Sequence, residues 1–321
     1  MYRLSDLETD LSETCNLRCT HCSHMSPHYT TADVSYSLNQ FEHDINILSK
    51  LIKVDVFRIV GGEPLLNKRL DEYTKIIKSS GMAKAVSLFT NGILLSKVNL
   101  VFLQNIDELR VSLYTFKNSN NDAIVACLKQ IKIEYPHLHI AANKVQYFTK
   151  ANLIEKNEDK NIVDKIYDKC YHSRHGKSLF NGRIYRCFVD RKRPKFFETY
   201  KHIMKSSIND YDSNRDSLAV NKSLTPAAVQ VLFNTNTPLR SCEWCLGCSG
   251  RYFKHSQLSE ITKSDDYATL QDLNFDEGSS YVSNCLYNWY SDRLDHLTDE
   301  PNFDVSKLGD HDIHHSDPVE I

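Results

Sequence analysis

The 321-residue sequence has no apolar run long enough to cross a bilayer. Its opening, MYRLSDLETD, is polar and acidic, unlike the basic-then-apolar pattern of an export signal. Both absences point to a reducing, cytoplasmic setting with no membrane partner, where disulfides rarely persist. An internal repeat is also missing, and so is a long basic stripe of the kind that grips nucleic acid. Only RKRPK at 191–195 concentrates positive charge, so nucleic acid is not indicated as a partner. What remains is an ordinary globular composition, 41% hydrophobic and 25% charged. The length suits one large domain or a domain with an appendage. Ten cysteines in such a chain read as metal ligands or reactive thiols rather than as staples.

The net charge of −2 hides an asymmetry. From residue 256 onward, 15 Asp/Glu stand against 3 Lys/Arg, whereas residues 1–255 carry 36 basic and 26 acidic groups. A basic body is read either as a solvated surface or as a match for an anionic small-molecule substrate, phosphorylated or nucleotide-linked.

The first half alternates two periodicities. DLETDLSET, VDVFRIV, KAVSLFT, ELRVSLY and HLHIAANKV read as strands. SLNQFEHDINILSKLI, KRLDEYTKIIKSSG, LSKVNLVFLQN and NNDAIVACLKQIKIEY read as helices between them, with Ser37 as an N-cap and Gly81 as a stop. Strand–helix alternation predicts a parallel α/β sheet, either open or curved into a partial barrel. Chemistry is then expected at the carboxyl ends of the strands. Three unusual loops fall on that rim: the cysteines after strand one, Gly61-Gly62-Glu63-Pro64 after strand two, and Thr90-Asn91-Gly92 after strand three. Beyond about residue 150 the pattern weakens. KSLFNGRIYRC predicts a hairpin turning at Asn181-Gly182, PAAVQVLFN a short helix, and SCEWCLGC a cysteine knuckle.

Cys15-x3-Cys19-x2-Cys22 supplies three thiols in one short loop. A structural zinc site wants four closed ligands, which His24 or His28 would complete. Three thiolates alone suit an iron–sulfur cube with one iron left open. This spacing after the first strand, with GGEP after the second, resembles the radical S-adenosylmethionine (SAM) superfamily over about the first 150 residues. The resemblance implies a partial (β/α)6 TIM-like barrel in which Cys15, Cys19 and Cys22 bind a [4Fe–4S] cluster. It implies that SAM chelates the fourth iron, and that its reductive cleavage yields a 5′-deoxyadenosyl radical able to abstract hydrogen from substrate carbon. Gly61, Gly62, Glu63 and Pro64 would face the SAM amino group, with Asn91 in the adjoining loop. Ser112 and Asn143 are expected at the carboxylate and ribose, and His21 near the adenine. The reductant implied is a flavodoxin or a ferredoxin.

Cys170, Cys187, Cys242, Cys245 and Cys248 form a second set, with Cys127 and Cys285 isolated. Gly182-x4-Cys187 after a hairpin, followed by Cys242-x2-Cys245, resembles the twitch half of an auxiliary-cluster (SPASM/twitch) domain. Four thiolates from Cys170, Cys187, Cys242 and Cys245 would then bind a second [4Fe–4S] cluster. An all-thiolate zinc site from the same residues is the alternative. Cys248 is left as a substitute ligand, a spare, or a free thiol that returns a hydrogen atom to a substrate radical. Cys127 reads as core. The expected division is 1–155 for the radical SAM barrel, 156–255 for the auxiliary domain, and 256–321 for an acidic C-terminal extension in which YVSNCLYNWY packs on the body.

Length and spacing resemble small-molecule dehydrogenases of aminocyclitols. The expected activity is therefore oxidation or epimerisation of a sugar- or aminocyclitol-like substrate. A peptide-modifying enzyme of the same superfamily and a non-catalytic metal-stabilised binding protein are the alternatives.

Overall fold

Strand register, more than helix packing, positions the site. The computed structural model describes residues 1–29, 36–114, 116, 119–145, 147–204, 206–209, 211–212, 214–258 and 266–275. Cys285, the segment 281–290 and the end of the acidic extension lie outside the described residues. Five parallel strands run in consecutive order: β1 (Tyr2–Asp10), β2 (Ile52–Val60), β3 (Ala83–Thr90), β4 (Glu108–Tyr114) and β5 (His139–Val145). Helices α1 (Leu38–Leu48), α2 (Leu70–Ser80) and α3 (Asn121–Glu134) connect them. Ser37 caps α1 by accepting from the Gln40 N–H, and Gly81 ends α2 at φ 58°. Strand β6 (Tyr147–Thr149) leaves this sheet and pairs with β10 (Tyr252–Lys254).

Helices α4 (Lys160–Lys169) and α5 (His172–His175) lead into the expected hairpin, β7 (Ser178–Phe180) and β8 (Arg183–Tyr185). Its turn residues Asn181 and Gly182 both have positive φ, 48° and 79°, as a type I′ turn requires. Strand β7 runs parallel to β1, so the hairpin extends the first-half sheet. After α6 (Phe188–Tyr200), β9 (Ser217–Ala219) adds the edge and α7 (Pro226–Asn234) follows. Among the described residues the sheet has eight strands in the order β5-β4-β3-β2-β1-β7-β8-β9. This is the mixed α/β, parallel-sheet architecture expected of a partial barrel.

The two faces of the sheet differ in kind. One packs Leu7, Phe57, Ile59, Val86, Leu88 and Leu109 against Phe41 and Ile45 of α1, Ile77 of α2 and Leu128 of α3. On the other, the register aligns Glu8, Arg58, Ser87, Glu108 and His139 in a single row across five strands. Those charges are buried and mutually paired. Arg58 donates to Asp6 and lies 3.9 Å from Glu8, and Arg110 pairs with Glu108 at 2.6 Å. Burial opposes ionisation of Asp6, yet Arg58 and then His175 outweigh it and hold the carboxyl well below its usual range.

Two expectations need correction. Residues 95–105 are not one helix but two 3-10 turns, Leu95–Lys97 and Val101–Asn105. Between them the Asn99 side chain accepts from the Val101 N–H at 3.0 Å, a side-chain turn that competes with helical bonding. The first strand also ends at Asp10 rather than just before Cys15, because the following carbonyls are claimed by the loop after β2.

Arg58→Met should cost about 3–5 kcal/mol at neutral pH, since it leaves buried carboxylates without their cation. Asp6 has a folded pKa below its unfolded one, so its contribution is full above roughly pH 4 and is lost as pH falls. Urea midpoints should therefore show the deficit narrowing between about pH 7 and about pH 3. An equal deficit at both pH values would refute this account of the pair.

Candidate functional site

The loop carrying the first three cysteines is held by backbone contacts that no side chain would permit. Gly62 N–H donates to the Ser12 carbonyl at 2.8 Å and Glu63 N–H to the Thr14 carbonyl at 2.9 Å. A Cβ on Gly62 would lie 1.9 Å from the Thr14 oxygen; one on Gly61, at φ +127°, would lie 2.6 Å from the Ser12 oxygen. The glycine pair is thus required by the chain's own loop packing. Pro64 then opens a 3-10 turn, Pro64–Leu66.

Glu63 is buried and acts as a tie. Its carboxylate accepts from Leu65 N–H at 3.0 Å, Thr90 Oγ1 at 2.6 Å and Asn91 N–H at 2.9 Å. Three of roughly four acceptor positions on a carboxylate are thereby used within the chain. Asn91 passes the connection on, donating to Asn16 Oδ1 at 2.7 Å with Cys15 Sγ 3.8 Å away. All three rim loops therefore meet, as their strand-end positions predicted.

A segment from far along the chain straps the other side of the loop. Thr20 N–H donates to the Ser256 carbonyl, and Leu258 N–H to the Arg18 carbonyl. The Gln257 side chain accepts from Arg18 N–H at 2.7 Å and donates to Cys19 Sγ at 3.5 Å. His21, at φ 54°, donates its N–H to Asp266, whose other oxygen pairs with His28 Nε2 at 2.8 Å and with the Tyr200 hydroxyl at 3.0 Å. The His21 ring lies 4.6 Å from that of Phe253. Sequence reasoning missed Gln257 and Asp266, because nothing local to them signals a contact 240 or so residues away.

Ser112 and Asn143 are direct partners across β4 and β5 and share the polar face. Tyr114, two residues beyond Ser112, is close enough to all three cysteines of the loop for each to act on it, and it stacks on His255 at 4.9 Å. Tyr114 was not anticipated, although its two-residue offset from Ser112 would have placed it on the same face.

Helix α6 supplies the other side of the site. Asp10, at the end of β1, and Glu13, two residues before Cys15, are both paired with Arg191 and Lys192. All four side chains are at most 5% exposed. The RKRPK run is therefore an internal element rather than a solvated charge patch. Pro194 removes one helical N–H, and the Asp190 carbonyl four residues earlier accepts from the Tyr211 hydroxyl at 3.2 Å.

The second cysteine set converges. Cys170, Cys187, Cys242, Cys245 and Cys248 all line one cavity of about 210 Å³, together with His21 and Ser23 of the first loop. The Cys170 and Cys248 sulfurs are 3.9 Å apart. His172 also lines it; burial, then Arg58, drives its pKa down to about 3, so the imidazole is neutral. Cys127 packs against the main core, as expected.

Both sets fit metal ligation. Burial pushes Cys15 up to about 12 and pushes Cys19 and Cys22 up as well, and Cys15 and Cys22 each raise Cys19 further. Three such thiols become thiolates together only when a cation balances them. Among the described residues, no three His, Cys, Asp or Glu side chains draw together as one mononuclear ion requires. The second set lines one cavity of about 210 Å³. Thiols around such a space could each hold a separate iron of a polynuclear cluster.

Residues 10–136 match the family model of the Radical SAM superfamily. The GTP 3′,8-cyclase of Lactiplantibacillus plantarum is 34% identical over 121 residues, 36% of this chain and 35% of that protein. That of Petrotoga mobilis is 26% identical over 178 residues, 52% and 54% respectively. The chain thus spans about a third to a half of the length of these curated relatives. Among solved structures, BtrN in complex with AdoMet and 2-DOIA aligns at TM-score 0.41 and 15% identity, covering 75% of this chain and 92% of that one. Native anSMEcpe with bound AdoMet aligns at TM-score 0.46 and 12% identity, covering 90% and 97%.

Gly62→Ala should destabilise the protein by about 1–3 kcal/mol, because the clash is with backbone that cannot rotate away. It should also lower the iron bound after anaerobic reconstitution. A urea midpoint and an iron content both equal to wild type would overturn the role assigned to this contact.

Proposed function

We propose, from the match of residues 10–136 to the Radical SAM superfamily model, that the chain is a two-cluster enzyme oxidising a sugar- or aminocyclitol-like small molecule. The observation that carries this reading is the cavity ringed by five cysteines and reaching His21 and Ser23 of the first cysteine loop. In this reading Cys15, Cys19 and Cys22 hold a [4Fe–4S] cluster, and Cys170, Cys187, Cys242 and Cys245 hold a second of twitch type. With SAM bound, the first cluster would supply a 5′-deoxyadenosyl radical for removing hydrogen from a substrate C–H bond, and the second would supply a site for the electron left on the substrate.

The chain's own groups have separate tasks. Ser112 and Asn143 present side-by-side polar groups to SAM from the inner face, with Tyr114 and His21 as aromatic surfaces nearby. Glu63 has about one acceptor position left for the SAM amino group, and its other bonds keep Asn91 against Cys15. The reductant is a flavodoxin or ferredoxin. The matches to GTP 3′,8-cyclases cover only about a third to a half of either chain, so they do not select the substrate. Oxidation is favoured over epimerisation because Cys248, 4% exposed, is held at the cysteine cavity beside Cys170. A thiol committed there is poorly placed to return hydrogen to a substrate radical.

Replacing Cys15, Cys19 and Cys22 together by Ala should leave about half the iron of the reconstituted protein and abolish SAM cleavage. Undiminished iron in that variant would sink the two-site assignment. With deuterium-labelled polyols, label should appear in 5′-deoxyadenosine.

Cys187→Ala should block product formation, whereas Cys248→Ala should retain most of it. Solvent deuterium at the reacting carbon of a stereo-inverted product would replace oxidation by epimerisation, and peptide substrates accepted in place of polyols would move the enzyme to peptide modification.

A further inference from the structure

The polar face of β1 carries buried side-chain atoms that the fold leaves unused. Asp6, Glu8 and Asp10 alternate onto that face, and Ser178 of β7 joins them as the register partner of Glu8. Among the described residues, Glu8 Oε1, Asp10 Oδ1, Ser178 Oγ and His24 Nδ1 are buried atoms without a hydrogen bond. Glu8 is 6% exposed, and Asp10 and Ser178 are fully buried. Such atoms are costly to bury unless a ligand or an ordered water meets them.

The neighbouring cations do not fill the gap. Arg58 gives Nη2 to Asp6 and the His175 carbonyl and Nη1 to the Tyr171 hydroxyl, so it reaches Glu8 only at 3.9 Å. Arg191 and Lys192 take Asp10 through Oδ2 and also hold Glu13. Asp10 Oδ1 is left 3.4 Å from His24 Nδ1, and neither atom is hydrogen-bonded. Arg191 Nε is a further unused donor, on a guanidinium whose charge is already committed. The patch also adjoins the cysteine cavity. The His24 ring stacks on Phe188 at 4.6 Å, and His172, which lines the cavity, meets Phe188 edge-on at 5.1 Å.

We propose that this patch recognises hydroxyl or ammonium groups of the substrate, with Glu8 as its specificity-determining residue, and that it excludes phosphorylated and nucleotide-linked ligands. The inference rests on the polyol reading above and narrows it. A hydroxyl donates to the Glu8 or Asp10 carboxylate and accepts from Ser178 or Arg191 Nε, so it uses both kinds of vacant position. An ammonium adds charge-assisted bonds to the same carboxylates. A phosphate oxygen brought against two carboxylate oxygens meets like charge in a dry site. The excess of basic groups in residues 1–255 offers it no relief here, because Arg58, Arg191 and Lys192 are spent on Asp6, Asp10 and Glu13.

The test measures binding to the reconstituted full chain by anaerobic calorimetry with SAM present. The probes are myo-inositol, an inositol with one hydroxyl replaced by an amino group, and myo-inositol 1-phosphate. The first two should bind about tenfold or more tightly than the phosphate. Glu8→Gln, which keeps the shape and loses the charge, should weaken the amino probe about tenfold and narrow its lead over the phosphate. A structural role alone would weaken all three probes alike; unchanged ratios therefore overturn the proposal. A phosphate that binds the wild type as tightly as the other two also overturns it, and leaves the polyol reading standing. If Glu8→Gln does not fold, Ser178→Ala decides, since it should weaken myo-inositol more than the phosphate, and an equal effect on both overturns the proposal. If none of the three probes binds, the polyol reading falls and this proposal falls with it.

Discussion

Four buried charges, Asp10, Glu13, Arg191 and Lys192, hold the two halves of the site in register. Asp10 and Glu13 bracket the exit of β1 just before Cys15, while Arg191 and Lys192 follow Cys187 by four and five residues. Compared with a well-packed apolar contact, such a cluster adds little net stability, because each ion gives up its hydration. Its value lies in geometry. Removing any one member leaves the others uncompensated, so slippage of α6 along the first loop is costly. Burial lowers Arg191 to about 9 and, with Arg191 beside it, lowers Lys192 to about 7. These cations remain charged only where the carboxylates meet them, which makes the contact specific.

The same economy explains the inner face of the sheet. A parallel strand covered on both sides normally reads as a continuous apolar run. Here the helix-facing side obeys that rule, and the opposite side carries Asp6, Glu8 and Asp10 on β1 alone. Charges are tolerated there because the register places Arg58 beside Glu8 and leaves Arg110 within reach of Glu108. An interior lined in this way suits polar ligands, since it offers donors and acceptors already oriented by neighbours.

Much of this was legible in the sequence. Helical spacing of Phe41, Ile45 and Leu48, the Ser37 cap and the Gly81 stop correspond to α1 and α2, and Asn181-Gly182 marked its hairpin by turn chemistry. The cysteine spacings picked out both sets, the first because it is local in sequence, the second although the fold must gather Cys170, Cys187, Cys242, Cys245 and Cys248 from across 78 residues to one cavity. What sequence could not carry was non-local. RKRPK read only as a short concentration of positive charge, and nothing local to it signals that Arg191 and Lys192 are buried against the distant Asp10 and Glu13. Gln257 and Asp266 lie where composition turns acidic, with no periodicity to mark them. Residues 95–105 kept helical spacing, yet Asn99 offered the backbone a competing bond.

The first cysteine loop has little structure of its own. Its shape comes from Gly62 and Glu63, Asn91, Gln257 and Asp266, and the cations of α6, so five separated segments must be in place before its thiols converge. Lys192 pairs with Glu13 of the first loop, while Val189, three residues earlier on the same helix, lines the cavity of the second cysteine set. Helix α6 is therefore a wall shared by the first loop and that cavity. A change in its rotation would be felt at both, which ties the fold of the second half to the chemistry of the first.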